Sequence, residues 1–134
     1  VAKTVDSLFV YGTLRRDARH ASHAMLARGA TLLGDATLNG AAIYLVGEYP
    51  GVVPSDNQED VVHGEVYRFD PKSDLLTLLD EYEGCLGPRP LYTREPLPVT
   101  LAQGETVTAW VYVYNHPVSK KSRIASGDFL FPYG

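Results

Sequence analysis

Apolar residues along this chain recur mostly with a period of two, in short runs separated by glycine, proline and acidic residues. That rhythm predicts strands more than helices. Residues 8–11 (LFVY) form a short apolar run of strand length, followed at once by Gly12-Thr13-Leu14. Residues 61–69 (VVHGEVYRF) read as another strand, and residues 107–115 (VTAWVYVYN) give the clearest one. There Ala109, Val111 and Val113 alternate with Trp110, Tyr112 and Tyr114, so both faces must be covered. Residues 30–38 and 41–46 flank Asn39-Gly40, and because both residues accept positive φ this pair predicts a hairpin joining the two runs. Two segments break the period of two. Residues 17–28 (DARHASHAMLAR) carry Ala21, Ala24, Met25 and Arg28 at helical spacing and stop at Gly29. Leu75, Leu76, Leu78 and Leu79 line one face of a second helix, with Asp70 expected as its N-cap and Pro71 at its first position, where a missing N–H is no loss.

The remaining segments read as connections. Residues 47–60 are rich in Gly, Pro and Asp and predict a long loop. Prolines at 88, 90, 96 and 98 predict a loop and then an edge or interrupted strand. The stretch from Ser119 onward reads as a partly ordered tail. About six strands and two helices, joined mostly by hairpin-like connections, predict an α+β fold whose sheet curls into a barrel, because closure removes exposed edges. A small barrel can also enclose a ligand-sized cavity.

Composition narrows what such a barrel would bind. At 134 residues the chain has the length of one domain, read here as spanning residues 1–134 with a flexible stretch from about 119. A net charge of −4 and a pI near 5.5, with basic residues scattered except at Lys120-Lys121-Ser122-Arg123, remove the attraction that nucleic acid or an anionic membrane surface requires. No partner of either kind is expected. Mean hydropathy of −0.12 and the absence of any apolar run of about 18 residues argue against a membrane-spanning helix. The lone Cys85 allows no intramolecular disulfide framework, the amino terminus lacks a signal-peptide pattern, and together these favour the cytoplasm. Nine tyrosines against one Trp and one Met hint at a cavity, since tyrosine joins apolar bulk to a polar tip.

Candidate chemistry centres on the end of the second helix, LLTLLDEYEG, where Asp80, Glu81 and Glu83 crowd together. At about 100° per residue, Glu83 falls within roughly 60° of the centre of the leucine face and Glu81 roughly 140° from it. If the last turn persists, Glu83 is aimed at the core, where desolvation raises a carboxyl pKa toward the range useful for proton shuttling. The competing structural role is a cap or an ion pair with Arg89 or Arg94. A second candidate is the turn after the first strand. There the N–H groups of Gly12, Thr13 and Leu14 can point jointly at an anion such as a carboxylate, or form a plain strand-to-helix turn. It lacks the spacing of phosphate loops. His20 and His23 lie three apart on the first helix without the acid or cysteine spacing of a metal site, so no metal is expected. Cys85 beside an acid makes a poor nucleophile. Tyr112 and Tyr114 could offer hydroxyls to a pocket or form an aromatic core, and Arg94 could pair with Glu83 or Asp80 or face solvent.

Six short motifs occur in order: Tyr11-Gly12-Thr13-Leu14, Tyr49-Pro50-Gly51, His63-Gly64-Glu65-Val66-Tyr67, Leu79-Asp80-Glu81-Tyr82-Glu83-Gly84, Tyr92-Thr93-Arg94 and Ala109-Trp110-Val111-Tyr112-Val113-Tyr114. In this order, over roughly residues 7–115, the chain resembles the gamma-glutamylcyclotransferase-like superfamily, and more narrowly its gamma-glutamylamine cyclotransferase branch. The resemblance implies a small mixed β-barrel with flanking helices and a small-molecule gamma-glutamyl substrate. The substrate's head would be held by Tyr11, Gly12, Thr13 and Leu14, with Glu83 as the catalytic acid–base residue. It implies neither a metal nor an organic cofactor. The expected reaction is attack of the substrate's α-amino group on its own side-chain carbonyl, releasing 5-oxoproline and a free amine. A non-catalytic ligand-binding module on the same barrel is the alternative, and nothing in the sequence specifies an oligomeric state.

Overall fold

The computed structural model describes residues 5–12, 15, 23–47, 49–85 and 87–130. Among them the period-two runs become seven strands: β1 (Ser7–Val10), β2 (Ala30–Asn39), β3 (Ala41–Val46), β4 (Tyr49–Pro54), β5 (Val61–Phe69), β6 (Tyr92–Leu101) and β7 (Thr106–Tyr114). Two helices accompany them, α1 (His23–Gly29) and α2 (Leu75–Tyr82), with a 3₁₀ turn at Lys120–Ser122. Hydrogen bonding runs β1–β5–β2–β6–β7, and β7 returns to β1 through Leu8 and Trp110, closing a five-stranded barrel. The β3–β4 hairpin extends it, β4 lying parallel to β7 at Val52 and Val113. The barrel is mixed because β1–β7 is parallel while its other pairings are antiparallel.

Strand alternation sorts the side chains into two apolar layers. Phe9, Ala36, Val62, Val66, Val99, Ala109, Val111 and Val113 pack in the barrel interior. Leu8, Val10, Tyr67, Phe69 and Tyr112 face outward and are covered by Leu26 of α1 and by Leu75 and Leu79 of α2. The two-sided pattern of β7 is thereby explained: one face fills the barrel, and the other is the floor under α2. Each fully buried leucine in this layer contributes about 1.5–3 kcal/mol, which holds the end of α2 against the outer face of the sheet.

Several sequence expectations are corrected. Asn39-Gly40 does not join a hairpin: β2 pairs with β5 and β6, whereas β3 pairs with β4. Gly40 does take positive φ (74°), but its N–H donates to the Asp60 carbonyl and its own carbonyl accepts from Ser55, both at 2.8 Å. The pair is a corner at which the chain changes partner. The expected loop over 47–60 contains β4, whose Val52 is buried in the barrel core, and the connection that needs a positive φ is Gly47 (70°) between β3 and β4. Asp70 is not the cap of α2. Its carboxylate accepts from the Lys72 N–H at 2.9 Å, its carbonyl accepts from the Ser73 N–H and hydroxyl, and this local turn delays the helix to Leu75, with Asp74 at its N-cap. Pro96 and Pro98 sit inside β6, which is continuous because its second neighbour, β2, pairs only at Thr100 and Leu101; the donors that proline lacks are not needed there.

Residues 119–130 of the stretch expected as a partly ordered tail contact the barrel at several points. Arg123 bridges Tyr44 and pairs with Asp60 at 2.9 Å. Ile124 enters the barrel core, and the Gly127 carbonyl accepts from the His63 N–H at 2.8 Å. One buried isoleucine and several satisfied backbone groups hold this stretch in spite of its polar composition. Among the described residues no helix is long and apolar enough to cross a membrane.

Candidate active site

Helix α2 separates the three clustered acids into three environments. Its last turn persists: the Glu83 N–H donates to the Leu79 carbonyl at 2.8 Å, and Glu83 keeps helical angles as the C-cap. Gly84, at φ 75°, then donates to the Glu81 carbonyl, and Cys85 to the Asp80 carbonyl. This is a Schellman ending, in which a glycine takes the left-handed position other residues resist. The helical angle computed from the leucine face therefore holds. Glu81 is exposed, while Glu83 is partly buried and lines a cavity of about 600 Å³, within the size range of small-molecule sites.

Asp80 is fully engaged. Arg94 grips it with two bonds, at 2.8 and 3.0 Å, and the Tyr112 hydroxyl donates to it at 2.8 Å. The Arg94 guanidinium also stacks 4.4 Å from the centre of the Trp110 ring. Neither Arg94 nor, among the described interactions, Arg89 pairs with Glu83. Burial raises the Glu83 pKa to about 7. Asp80 serves to seat α2 on β6 and β7, and Glu83 is left as the carboxyl that can change protonation state near neutrality.

Other elements complete the walls. Tyr11 and Gly12 follow β1, Pro50 comes from β4, and Tyr92, Tyr112 and Tyr114 come from β6 and β7. The Tyr11 hydroxyl donates to the Tyr112 carbonyl at 2.5 Å and that of Tyr92 to the Pro50 carbonyl at 2.7 Å. Tyr11 and Tyr92 are held above the ordinary phenol range, chiefly by burial and then by the nearby Glu83 charge; Tyr112 is raised by burial and its bond to Asp80. All three stay neutral. Cys85 is pushed up to about 11 by burial and then by Asp80 and Glu83, which removes it as a thiolate nucleophile.

Two glycines permit the close packing. A Cβ on Gly12 would lie 2.7 Å from Pro50 Cγ, and one on Gly51 would lie 2.8 Å from Tyr114 Cβ. Hence Tyr49-Pro50-Gly51 presses against both the turn and the tyrosine wall. The turn itself is closed by the Arg15 N–H donating to the Gly12 carbonyl at 3.1 Å. Of the residues expected to hold substrate, Tyr11 and Gly12 lie in the cavity wall with Glu83. Thr13 and Leu14 fall outside the described residues, as does His20. Sequence reasoning did not single out Tyr49, Tyr82 and Tyr92 as pocket residues. The available signal was the tyrosine excess, together with Tyr-Pro-Gly in what looked like a loop.

The family model described as gamma-glutamyl cyclotransferase, AIG2-like, matches residues 8–131. The gamma-glutamylcyclotransferase family protein YtfP of Escherichia coli K12 is 40% identical over 123 residues, covering 92% of this chain and 95% of that one. A putative gamma-glutamylcyclotransferase of Vibrio cholerae is 34% identical over 123 residues, covering 91% and 93%. Among solved structures, that of E. coli ytfP superposes with a TM-score of 0.63 at 38% identity, over 92% of this chain and 96% of that one. An AIG2-like protein of Mus musculus gives 0.68 at 26% identity, over 90% and 83%.

Proposed function

Because the chain belongs to the gamma-glutamyl cyclotransferase, AIG2-like family, we propose that it cyclises gamma-glutamyl amides, releasing 5-oxoproline and a free amine, with Glu83 as general base and then general acid. The observation that carries this reading is the position of Glu83. It is the one carboxyl among the described residues lining the cavity, and burial brings its pKa to about 7, where one group can both accept and return a proton at neutral pH.

A gamma-glutamyl amide carries its own nucleophile. The turn at Tyr11, Gly12, Thr13 and Leu14 holds the α-carboxylate through its backbone N–H groups and keeps the chain bent, so that ring closure becomes a well-oriented intramolecular step. Glu83 takes a proton from the α-ammonium. The freed amine attacks the side-chain carbonyl carbon, a C–N bond forms, and charge develops on the carbonyl oxygen, where hydrogen-bond donors stabilise it. Collapse breaks the original amide C–N bond as Glu83 returns its proton to the departing nitrogen, and the second proton of the attacking nitrogen passes to the released amine, which leaves as an ammonium ion beside the neutral lactam. Tyr11 and Tyr92, whose phenols feel the Glu83 charge, donate to backbone carbonyls and remain neutral, so they shape the wall and do not compete for the proton.

A panel of gamma-glutamyl amides incubated with the protein and assayed for 5-oxoproline by mass spectrometry tests the reading. Stoichiometric release of 5-oxoproline and amine is expected. Saturable binding without any turnover would indicate a ligand-binding module instead.

A further inference from the structure

The cavity is graded from floor to mouth. Phe9, Tyr11, Tyr92 and Tyr112 are buried at its floor, whereas Tyr49, Tyr82 and Leu91 line it and are also 47%, 38% and 51% exposed. A side chain that both lines a cavity and meets solvent stands at its opening. Glu83 and Gly12 line the same cavity and are less exposed than these three side chains, so a substrate whose amino-acid head is held at the turn would project its leaving group toward them. Among the described lining residues there is no lysine, arginine or histidine, and Arg94, on the strand that supplies Tyr92 to the wall, is engaged by Asp80. A carboxylate on the leaving group would meet the apolar rim and the Glu83 charge, with no cation among the described lining residues to pair it, which is costly.

Resting on the cyclisation reading, we infer that the leaving amine bears an apolar, carboxylate-free substituent that packs on Tyr49, Tyr82 and Leu91 at the mouth. The class this selects is gamma-glutamyl amides of hydrophobic or aromatic primary amines, in preference to gamma-glutamyl amino acids and to amides carrying a distal ammonium. An ammonium gains from tyrosine faces only when it sheds its water, and at a half-exposed rim it keeps that water, so the apolar group benefits more.

The test compares kcat/KM for gamma-glutamyl benzylamide, gamma-glutamyl butylamide, gamma-glutamyl alanine and the mono-gamma-glutamyl amide of 1,4-diaminobutane, on the parent and on Tyr82→Ala and Leu91→Ala. The benzyl and butyl amides are expected to exceed the other two by about tenfold or more, since one or two methylenes in an apolar pocket already discriminate to that extent. Both variants are expected to shrink that ratio severalfold, mainly through KM, as loss of uniform binding does. Equal or better turnover of the carboxylate or ammonium substrate overturns the inference and leaves the cyclisation reading standing. A uniform loss across all four substrates in both variants also overturns it, because a merely structural rim would behave that way. Absence of 5-oxoproline from every substrate overturns the cyclisation reading itself.

Discussion

Burying a carboxyl costs stability, and for Glu83 that cost depends on pH. An unfolded chain releases this proton near 4.3, whereas the folded protein holds it to about 7. Between those values the folded state binds more protons, so stability falls as pH rises through the window and stays at the lower level above it. Glu83→Gln is neutral throughout. It is predicted to melt higher than the parent at pH 8, by up to about 3 kcal/mol of stability, and to show no such advantage at pH 4; thermal melts across this range check it. The kcat/KM profile of the parent is expected to rise with an apparent pKa near 7, as the base form appears. At this scale the sequence was informative about Glu83 and Glu81, because both angles follow from one helix. It was silent on Asp80, since the Arg94 and Tyr112 that hold it come from strands 14 and 32 residues away, and only the register of β6 on β7 brings them together.

Among the elements, the β3–β4 hairpin matters most to the site and was the least legible. Three glycines and prolines around Tyr49 looked like a loop, yet Pro50 is the surface on which the Gly12 turn rests. Gly12→Ala is expected to destabilise the protein by about 1–3 kcal/mol through overpacking, because its Cβ would stand 2.7 Å from Pro50 Cγ. Pro50→Ala removes that atom, so the double variant should recover much of the loss, a coupling that denaturant melts of all four proteins would reveal. Additive losses would mean that turn and hairpin do not bear on each other. The long self-contained runs, β5 and β7, were readable because alternation over nine residues leaves one solution. The Asn39-Gly40 corner was not, since a turn signal says where a chain can bend and not which strand it will pair with next. Asp70-Pro71 failed for a similar reason: the aspartate's bonds to its own backbone compete with helix capping.

Across the whole molecule, the stretch after Ser119 ties the barrel to the turn that faces the cavity. Arg15, buried directly after that turn, pairs with Asp128 at 2.7 Å, and Gly127, at φ 74°, packs so closely that a Cβ would come 2.0 Å from the Val61 carbonyl oxygen. Gly127→Ala is predicted to cost at least about 1–2 kcal/mol from backbone strain alone and to open trypsin cleavage at Arg123 under native conditions, where the parent resists; equal protection of the two would contradict the docking. The chemistry assigned to this assembly rests on one carboxyl, and one paired measurement tests it most directly: the rate of 5-oxoproline release by Glu83→Gln and by Glu81→Gln, on a substrate the parent turns over, with both variants shown to be folded. Loss of a general acid–base group is typically worth about 10² to 10⁴ in rate, and that loss is predicted for Glu83→Gln, while Glu81→Gln, on the exposed side of the same turn, keeps close to parental activity. A folded Glu83→Gln that still releases 5-oxoproline at the parental rate, or a Glu81→Gln that does not, would contradict the account.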